Sequence, residues 1–169
     1  MGWAMILVSA CLAGFAVRYD GSDARNKLAQ WLVERGQAIS ACPEILGGFS
    51  IPRPSAEIVR GEDSRAFRRV LESTGKDVTA PYGIGARRVL NMVKRNNITV
   101  AFLKDRSPSC GVDTIYDGSF TGVRIKGMGV TARLLASSGV KVFPDSQLNP
   151  EIVRPYIDED LIPDLARFI

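Results

Sequence analysis

Three cysteines, Cys11, Cys42 and Cys110, and a complete absence of histidine set the chemistry open to this chain. An odd thiol count argues against a closed disulfide framework. Without imidazole there is no Ser-His-Asp or Cys-His site and no zinc site that needs a histidine ligand. The remaining tools are thiolates, carboxylates, hydroxyls, lysines, arginines and backbone amides. Soft thiolate sets favour iron–sulfur clusters, zinc or copper(I). A structural zinc wants four closed ligands. A cubane held by three cysteines leaves one iron without a protein ligand, free to act as a Lewis acid. Against this stands the reading of free cysteines as small buried hydrophobes.

The elements that must carry these thiols follow from hydrophobic pattern and turn residues. Met5–Ala10 is a short apolar run that reads as a first strand ending at Cys11. Ser22 or Asp23 is the expected cap of a helix to about Arg35, with Leu28, Trp31 and Leu32 on one face. Gln37–Ala41 reads as a second strand ending at Cys42. Gly47–Pro54 is Gly/Pro-rich and cannot be regular helix. Residues near Ser64–Ser73 read as helical, residues 74–81 as irregular, and Gly83–Asn97 as a stronger helix. Ile98–Leu103 is a clear strand leading to Cys110. Ile115–Gly122 suggests a turn or small hairpin, Gly129–Ser138 a helix and Val140–Phe143 a fourth strand. The tail from Pro150 suggests one or two short helices.

Strands alternating with helices predict an α/β fold, a three-layer Rossmann-like parallel sheet with helices on both faces. One domain is expected over residues 1–169, with a core of about 5–143 and a short helical tail at 150–169. In such folds ligands bind outside the carboxyl ends of the strands. All three cysteines follow strands, so parallel pairing would bring them to one edge.

Bulk properties are those of a globular protein: 46% hydrophobic and 24% charged residues, with 22 Lys+Arg against 18 Asp+Glu. The mild positive charge suits a phosphate-bearing small molecule at least as well as a nucleic acid, whose binders carry denser basic stripes. Met1–Val17 carries no charged side chain, and Val8-Ser9-Ala10-Cys11 looks like a lipoprotein cleavage box. It lacks a positive leader region, and the apolar run is far short of the about 20 residues a membrane helix needs. A cytoplasmic protein without a membrane anchor is expected.

The local strings then become informative. Val8-Ser9-Ala10-Cys11-Leu12, Arg18-Tyr19-Asp20-Gly21, Cys42-Pro43-Glu44 with Gly47-Gly48, Pro52-Arg53-Pro54 with Ala56-Glu57-Ile58, Ser107-Pro108-Ser109-Cys110-Gly111, Ile115-Tyr116-Asp117-Gly118 and Gly127–Thr131 occur in this order. The ordered set resembles the TudS-like thiouracil desulfidase family, from about Met5 to Phe143. The resemblance implies a [4Fe-4S] cluster held by Cys11, Cys42 and Cys110, and non-redox removal of sulfur from a thiolated uracil compound. It implies Glu44 as the catalytic carboxylate and places a substrate-contacting serine at Ser107 or Ser109. Where many relatives carry a further cysteine this chain has Val17, which leaves three thiols, enough for an open cubane. Some relatives carry a long extra C-terminal domain linked to tRNA. Its absence here favours a free thiolated base or nucleotide, with no stable nucleic-acid partner. The resemblance is silent on oligomeric state.

Among the other polar residues, Arg53 is expected to meet a substrate phosphate, since arginine binds phosphate bidentately. Asp20 and Lys104 are further candidates to line the substrate pocket. Tyr19 with Asp20 can also be read as shaping a turn, and Lys104-Asp105-Arg106 as a solvated loop. The rival readings are a redox-sensing module that carries a cluster without catalysis, and a nucleotide-binding α/β protein with inert thiols.

Overall fold

Residues 5–61 and 68–169 are described by a computed structural model. Four short strands, β1 (Ile6–Ser9), β2 (Ala38–Ala41), β5 (Val100–Leu103) and β8 (Lys141–Pro144), form a parallel sheet in the order β2-β1-β5-β8. Side chains alternate across each strand. Ile6, Val8, Val100 and Phe102 therefore face α1 (Lys27–Glu34) and the C-terminal tail, packing on Leu28, Leu32, Val153 and Leu165. Leu7, Ala101 and Leu103 face α3 (Thr79–Arg95) and α4 (Val130–Ser137), meeting Val89, Val93, Ala132 and Leu135. Burial on both faces explains why the strands read as unbroken apolar runs. The three-layer arrangement is the one expected from the sequence.

The chain runs from β1 to β2 on one side and returns to β5 on the other, so the strand order reverses beside β1. That reversal is the switch point at which α/β sheets bind ligands. The loops leaving β1, β2 and β5 carry Cys11, Cys42 and Cys110.

Three local expectations need correction. Helix α1 is capped by Asn26, whose Oδ1 accepts from the amides of Leu28 and Ala29 at 2.9 and 3.1 Å, and not by Ser22 or Asp23. Asp20 and Asp23 are engaged in turns of their own, accepting from the amides of Ser22 and Arg25. Of the helix expected near 64–73, Arg69–Glu72 forms strand β4, antiparallel to β3 (Ala56–Val59), and 62–67 lie outside the described residues. Tertiary pairing wins there: Val70 and Ile58 turn inward onto Val78, Tyr82 and Ile115. Helix α3 begins at Thr79, four residues earlier than expected. Pro81 falls in its first turn, where a missing N–H costs nothing.

A second antiparallel pair, β6 (Thr114–Tyr116) and β7 (Arg124–Lys126), forms the expected hairpin. Glu57 on β3 ties it down by accepting from the amides of Gly118 and Phe120. The tail contains α5 (Pro150–Val153) and two 3-10 segments, Arg154–Tyr156 and Glu159–Phe168. Among the described residues, no helix is long and apolar enough to cross a membrane.

Candidate active site

Each thiol is placed by a different local device. Cys11 sits in the tight turns after β1, and its carbonyl accepts from the amides of Gly14 and Ala24. Cys42 precedes α2, a single helical turn (Pro43–Leu46), with Pro43 at the first position, where proline is preorganised. Cys110 lies in a turn in which the Ser107 hydroxyl accepts from the amides of Ser109 and Cys110, each at 3.1 Å. The first amides of α4 clamp that turn from outside: Val130 donates to the Pro108 carbonyl, and Thr131 and Ala132 to that of Ser109. Gly129 is required by this contact, since a Cβ there would lie 2.5 Å from the Ser109 carbonyl carbon.

Asp105 closes the loop from its other end. Its carboxylate accepts from the amides of Val112, Asp113 and Thr114 at 2.9–3.2 Å and from the Thr114 hydroxyl at 2.9 Å. Burial opposes ionisation of this carboxyl, but the hydrogen bonds from Val112, Thr114 and Asp113 prevail and hold it below its ordinary value.

All three cysteines are unpaired, and each lies in the loop that leaves a strand of the parallel sheet. Cys11 and Cys110 are 8% and 5% exposed and Cys42 is half-buried. Burial, then the neighbouring charge of Cys42, pushes the Cys11 thiol up to about 11, against the pull of Lys104 and Arg18. Burial first, then the nearby Cys11 and Cys42, raise Cys110 well above the ordinary thiol range, while the hydroxyls of Ser9 and Ser109 favour its thiolate. Cys42 is raised chiefly by burial, although the Ile45 amide works the other way. A lone tetrahedral ion would draw thiolates to within about 4 Å of one another, given metal–sulfur bonds of ~2.3 Å. Among the described residues no three Cys, Asp or Glu side chains come together to hold a single ion. Soft thiolate donors suit an iron–sulfur group.

Beside the thiols stands a buried carboxylate. Glu44, on α2, and Arg53, in the proline-flanked loop, form an ion pair whose side chains are 11% and 5% exposed. Arg53 Nε donates to Glu44 Oε2 at 2.7 Å, and its terminal nitrogens donate to the carbonyls of Val17 and Ser50. The other carboxylate oxygen, Oε1, accepts from the Ser109 hydroxyl at 3.1 Å, and that hydroxyl is 3.7 Å from Cys110 Sγ. Thus the Ser109 side chain joins the carboxylate to a cysteine sulfur. Cys42 Sγ approaches the Val17 carbonyl at 3.9 Å, the same oxygen that Arg53 holds.

The structure therefore joins Glu44, Ser109 and Cys110, with Cys42 beside the Val17 carbonyl that Arg53 also holds and Cys11 in the loop after the adjacent strand β1. Ser107 is adjacent, but its oxygen shapes the turn and lies 3.0 Å from that of Ser109. Arg53, expected to meet a phosphate, is enclosed with its guanidinium spent on Glu44 and two carbonyls. Lys104 is close enough to lower the Cys11 thiol, yet its ammonium pairs with Asp145 at 3.1 Å. Asp20 is exposed, and its carboxylate is engaged by the hydroxyl and amide of Ser22. Sequence reasoning undervalued Asp105, whose carboxylate closes the loop that carries Cys110. A carboxylate shortly after a strand and before a cysteine loop is a weak signal for such a clasp. A cavity of about 270 Å³ opens beside Cys42, lined by Phe15, Val17, Ile45, Leu46 and Met92.

Comparison with known proteins bears on this arrangement. The family described as 2-thiouracil desulfurase matches residues 6–147. The uncharacterized protein YbbK of Bacillus subtilis (strain 168) is 44% identical over 148 residues, 86% of this chain and 98% of that one. The solved structure of TudS, a [4Fe-4S]-dependent thiouracil desulfidase, is 39% identical and superposes with a TM-score of 0.75, covering 96% of this chain and 95% of that chain.

Proposed function

We propose that this chain, which belongs to the 2-thiouracil desulfurase family, hydrolyses the C=S group of a small thiolated uracil base or nucleotide. Water supplies the oxygen of the new C=O, and sulfur leaves as hydrosulfide, with no change of oxidation state. The observation that supports this reading is that the loops leaving three adjacent parallel strands, β1, β2 and β5, carry the three cysteines, and that Ser109 joins the buried Glu44 to Cys110. The likeness to a [4Fe-4S]-dependent thiouracil desulfidase over nearly the whole chain supports it.

Cys11, Cys42 and Cys110 are the residues that would hold a [4Fe-4S] cluster, which supplies a Lewis-acidic iron toward the thiocarbonyl sulfur. The chain's own groups do the rest. Glu44 takes a proton from water as that water attacks the ring carbon, and returns one to the ring nitrogen or departing sulfur. Arg53 fixes Oε2 and thereby aims Oε1 at the cysteine side. Of the two serines, Ser109 is the one assigned to substrate on this reading, since its hydroxyl reaches Glu44 and Cys110 while that of Ser107 is committed to its turn. Lys104 and Asp20 serve the loops rather than the substrate on this reading, with Lys104 offsetting thiolate charge at Cys11. Three unpaired thiols suit a reducing compartment such as the cytoplasm.

The test is anaerobic reconstitution with iron and sulfide, then incubation with 2-thiouracil, 4-thiouracil and 4-thiouridine monophosphate. At least one should yield hydrosulfide and its oxo product in equal amounts without an electron donor. A protein that holds its cluster and releases no sulfide from any of them contradicts the proposal.

A further inference from the structure

We propose that Asp145 is a positioning residue for the cluster ligand Cys110: its carboxylate, in the turn that follows β8, holds the start of the loop in which Cys110 sits. The inference rests on the desulfidase reading above and extends it to the end of a strand that carries no cysteine.

The parallel ladders on both sides of β5 stop just before this loop. The β1–β5 pairing ends with Val8 opposite Phe102, and the β5–β8 pairing ends with Leu103 opposite Pro144. Beyond that point no strand is left to accept from the loop's amides, and a part-buried N–H without a partner is costly. Side chains of the two flanking strands take over. Ser9, the last residue of β1, accepts from the Lys104 amide through Oγ at 2.9 Å. Asp145, the residue after β8, accepts from the Asp105 amide through Oδ1 at 2.8 Å. Its other oxygen, Oδ2, accepts from the Lys104 ammonium at 3.1 Å, the two side chains being 24% and 25% exposed. The next amide, that of Arg106, donates to the Thr114 carbonyl.

Asp145 therefore acts on Cys110 through one intermediate. Asp105, with its amide fixed on Asp145, gathers the amides of Val112, Asp113 and Thr114 on its own Oδ1. The stretch from Asp105 to Val112 is closed on itself, and Cys110 lies inside it. The Ser9 contact ties the same loop to β1 two residues before Cys11. Of these two anchors Asp145 is the stronger, because a hydrogen bond to a carboxylate is worth more than one to a neutral hydroxyl. Cys42 follows β2, at the opposite edge of the sheet from β8, and shares none of these hydrogen bonds.

The experiment compares wild type, D145N and D145A as reduced, cluster-free protein. Each is alkylated with iodoacetamide under native conditions and followed at every cysteine by peptide mass spectrometry. Loss of a hydrogen bond to a charged group loosens the loop, so alkylation of Cys110 in D145A should speed up about ten- to a hundredfold, while Cys42 stays within about twofold of wild type. D145N keeps an oxygen for the Asp105 amide but lacks the charge. It should stay within about fivefold of wild type at Cys110, the most that a partly exposed ion pair contributes, which separates the hydrogen bond from any effect of charge on the thiol. After reconstitution, iron should pass to an added chelator about tenfold faster from D145A than from wild type, with D145N again close to wild type. Unchanged Cys110 alkylation in D145A, equal acceleration at Cys42, or D145N as fast as D145A overturns the inference. Wild type that takes up no cluster, or releases no sulfide, sinks the desulfidase reading instead, and the alkylation rates still decide whether Asp145 holds the loop.

Discussion

Replacing Arg53 by methionine isolates the central electrostatic feature of the site. The guanidinium donates to Glu44 and to the carbonyls of Val17 and Ser50, and both members of the ion pair are almost enclosed. An exposed pair is worth about 0–1 kcal/mol. Breaking an enclosed one strands a charge away from water and costs about 3–5 kcal/mol. The R53M value belongs in the upper half of that range, because two carbonyls lose their donor as well. For a chain of this size that lowers Tm by about 8–20 °C. Urea unfolding of cluster-free R53M at neutral pH measures it. R53K retains the charge but not the fork, and should fall between wild type and R53M. Pairing R53M with E44Q removes the stranded charge, so the double variant should be more stable than the sum of single effects predicts, by about 2 kcal/mol. An R53M cost below about 1 kcal/mol, with simple additivity in the double variant, would refute the reasoning and make Arg53 a loop arginine.

Glu44→Gln should lower kcat by about a hundredfold or more while the cluster content, measured as bound iron, stays at the wild-type level. Loss of the cluster in that variant would assign Glu44 a structural role. Gly85→Ala drives a Cβ into the Pro43 carbonyl, so α2 must shift; we expect a loss of about 2–3 kcal/mol in urea unfolding and weaker turnover, against the few tenths gained by an unstrained helical Gly→Ala change. Asp105 gives a pH signature. Its carboxyl lies lower in the folded state than its ordinary value of 3.8, so its stabilisation is complete above that value and disappears as pH falls through the lower folded one. The stability gap between wild type and D105N should be widest above about pH 5 and shrink toward about pH 3; a gap independent of pH contradicts the assignment.

The placement of the thiols was legible because it rests on short-range signals. Apolar β-branched runs ended at Cys11 and Cys42, and the parallel pairing of β1, β2 and β5 followed from the intervening helices. The carboxylate at Glu44 was legible from its position two residues beyond a cysteine and from the ordered strings of the family. Long-range pairings were not. The β3–β4 ladder joins residues separated by the undescribed 62–67 segment, and Pro52 and Pro54 disguise the alternation that begins at Ala56. Arg53 read as a phosphate ligand because nothing local says that the loop folds inward onto α2 and pairs the guanidinium with Glu44. The close approach of the α2 and α3 backbones at Gly47 and Gly85 likewise has no local signal.

The measurement closest to the central claim is a count of iron and acid-labile sulfide after anaerobic reconstitution of wild type and of C11S, C42S and C110S. Wild type should bind four of each per chain, in keeping with the [4Fe-4S] group named for TudS, and every serine variant should fall well short and lose sulfide release from thiouracil. Any one variant that retains the full complement and its activity would show that its sulfur is not a ligand, and the convergence of three thiols on one cluster would be contradicted.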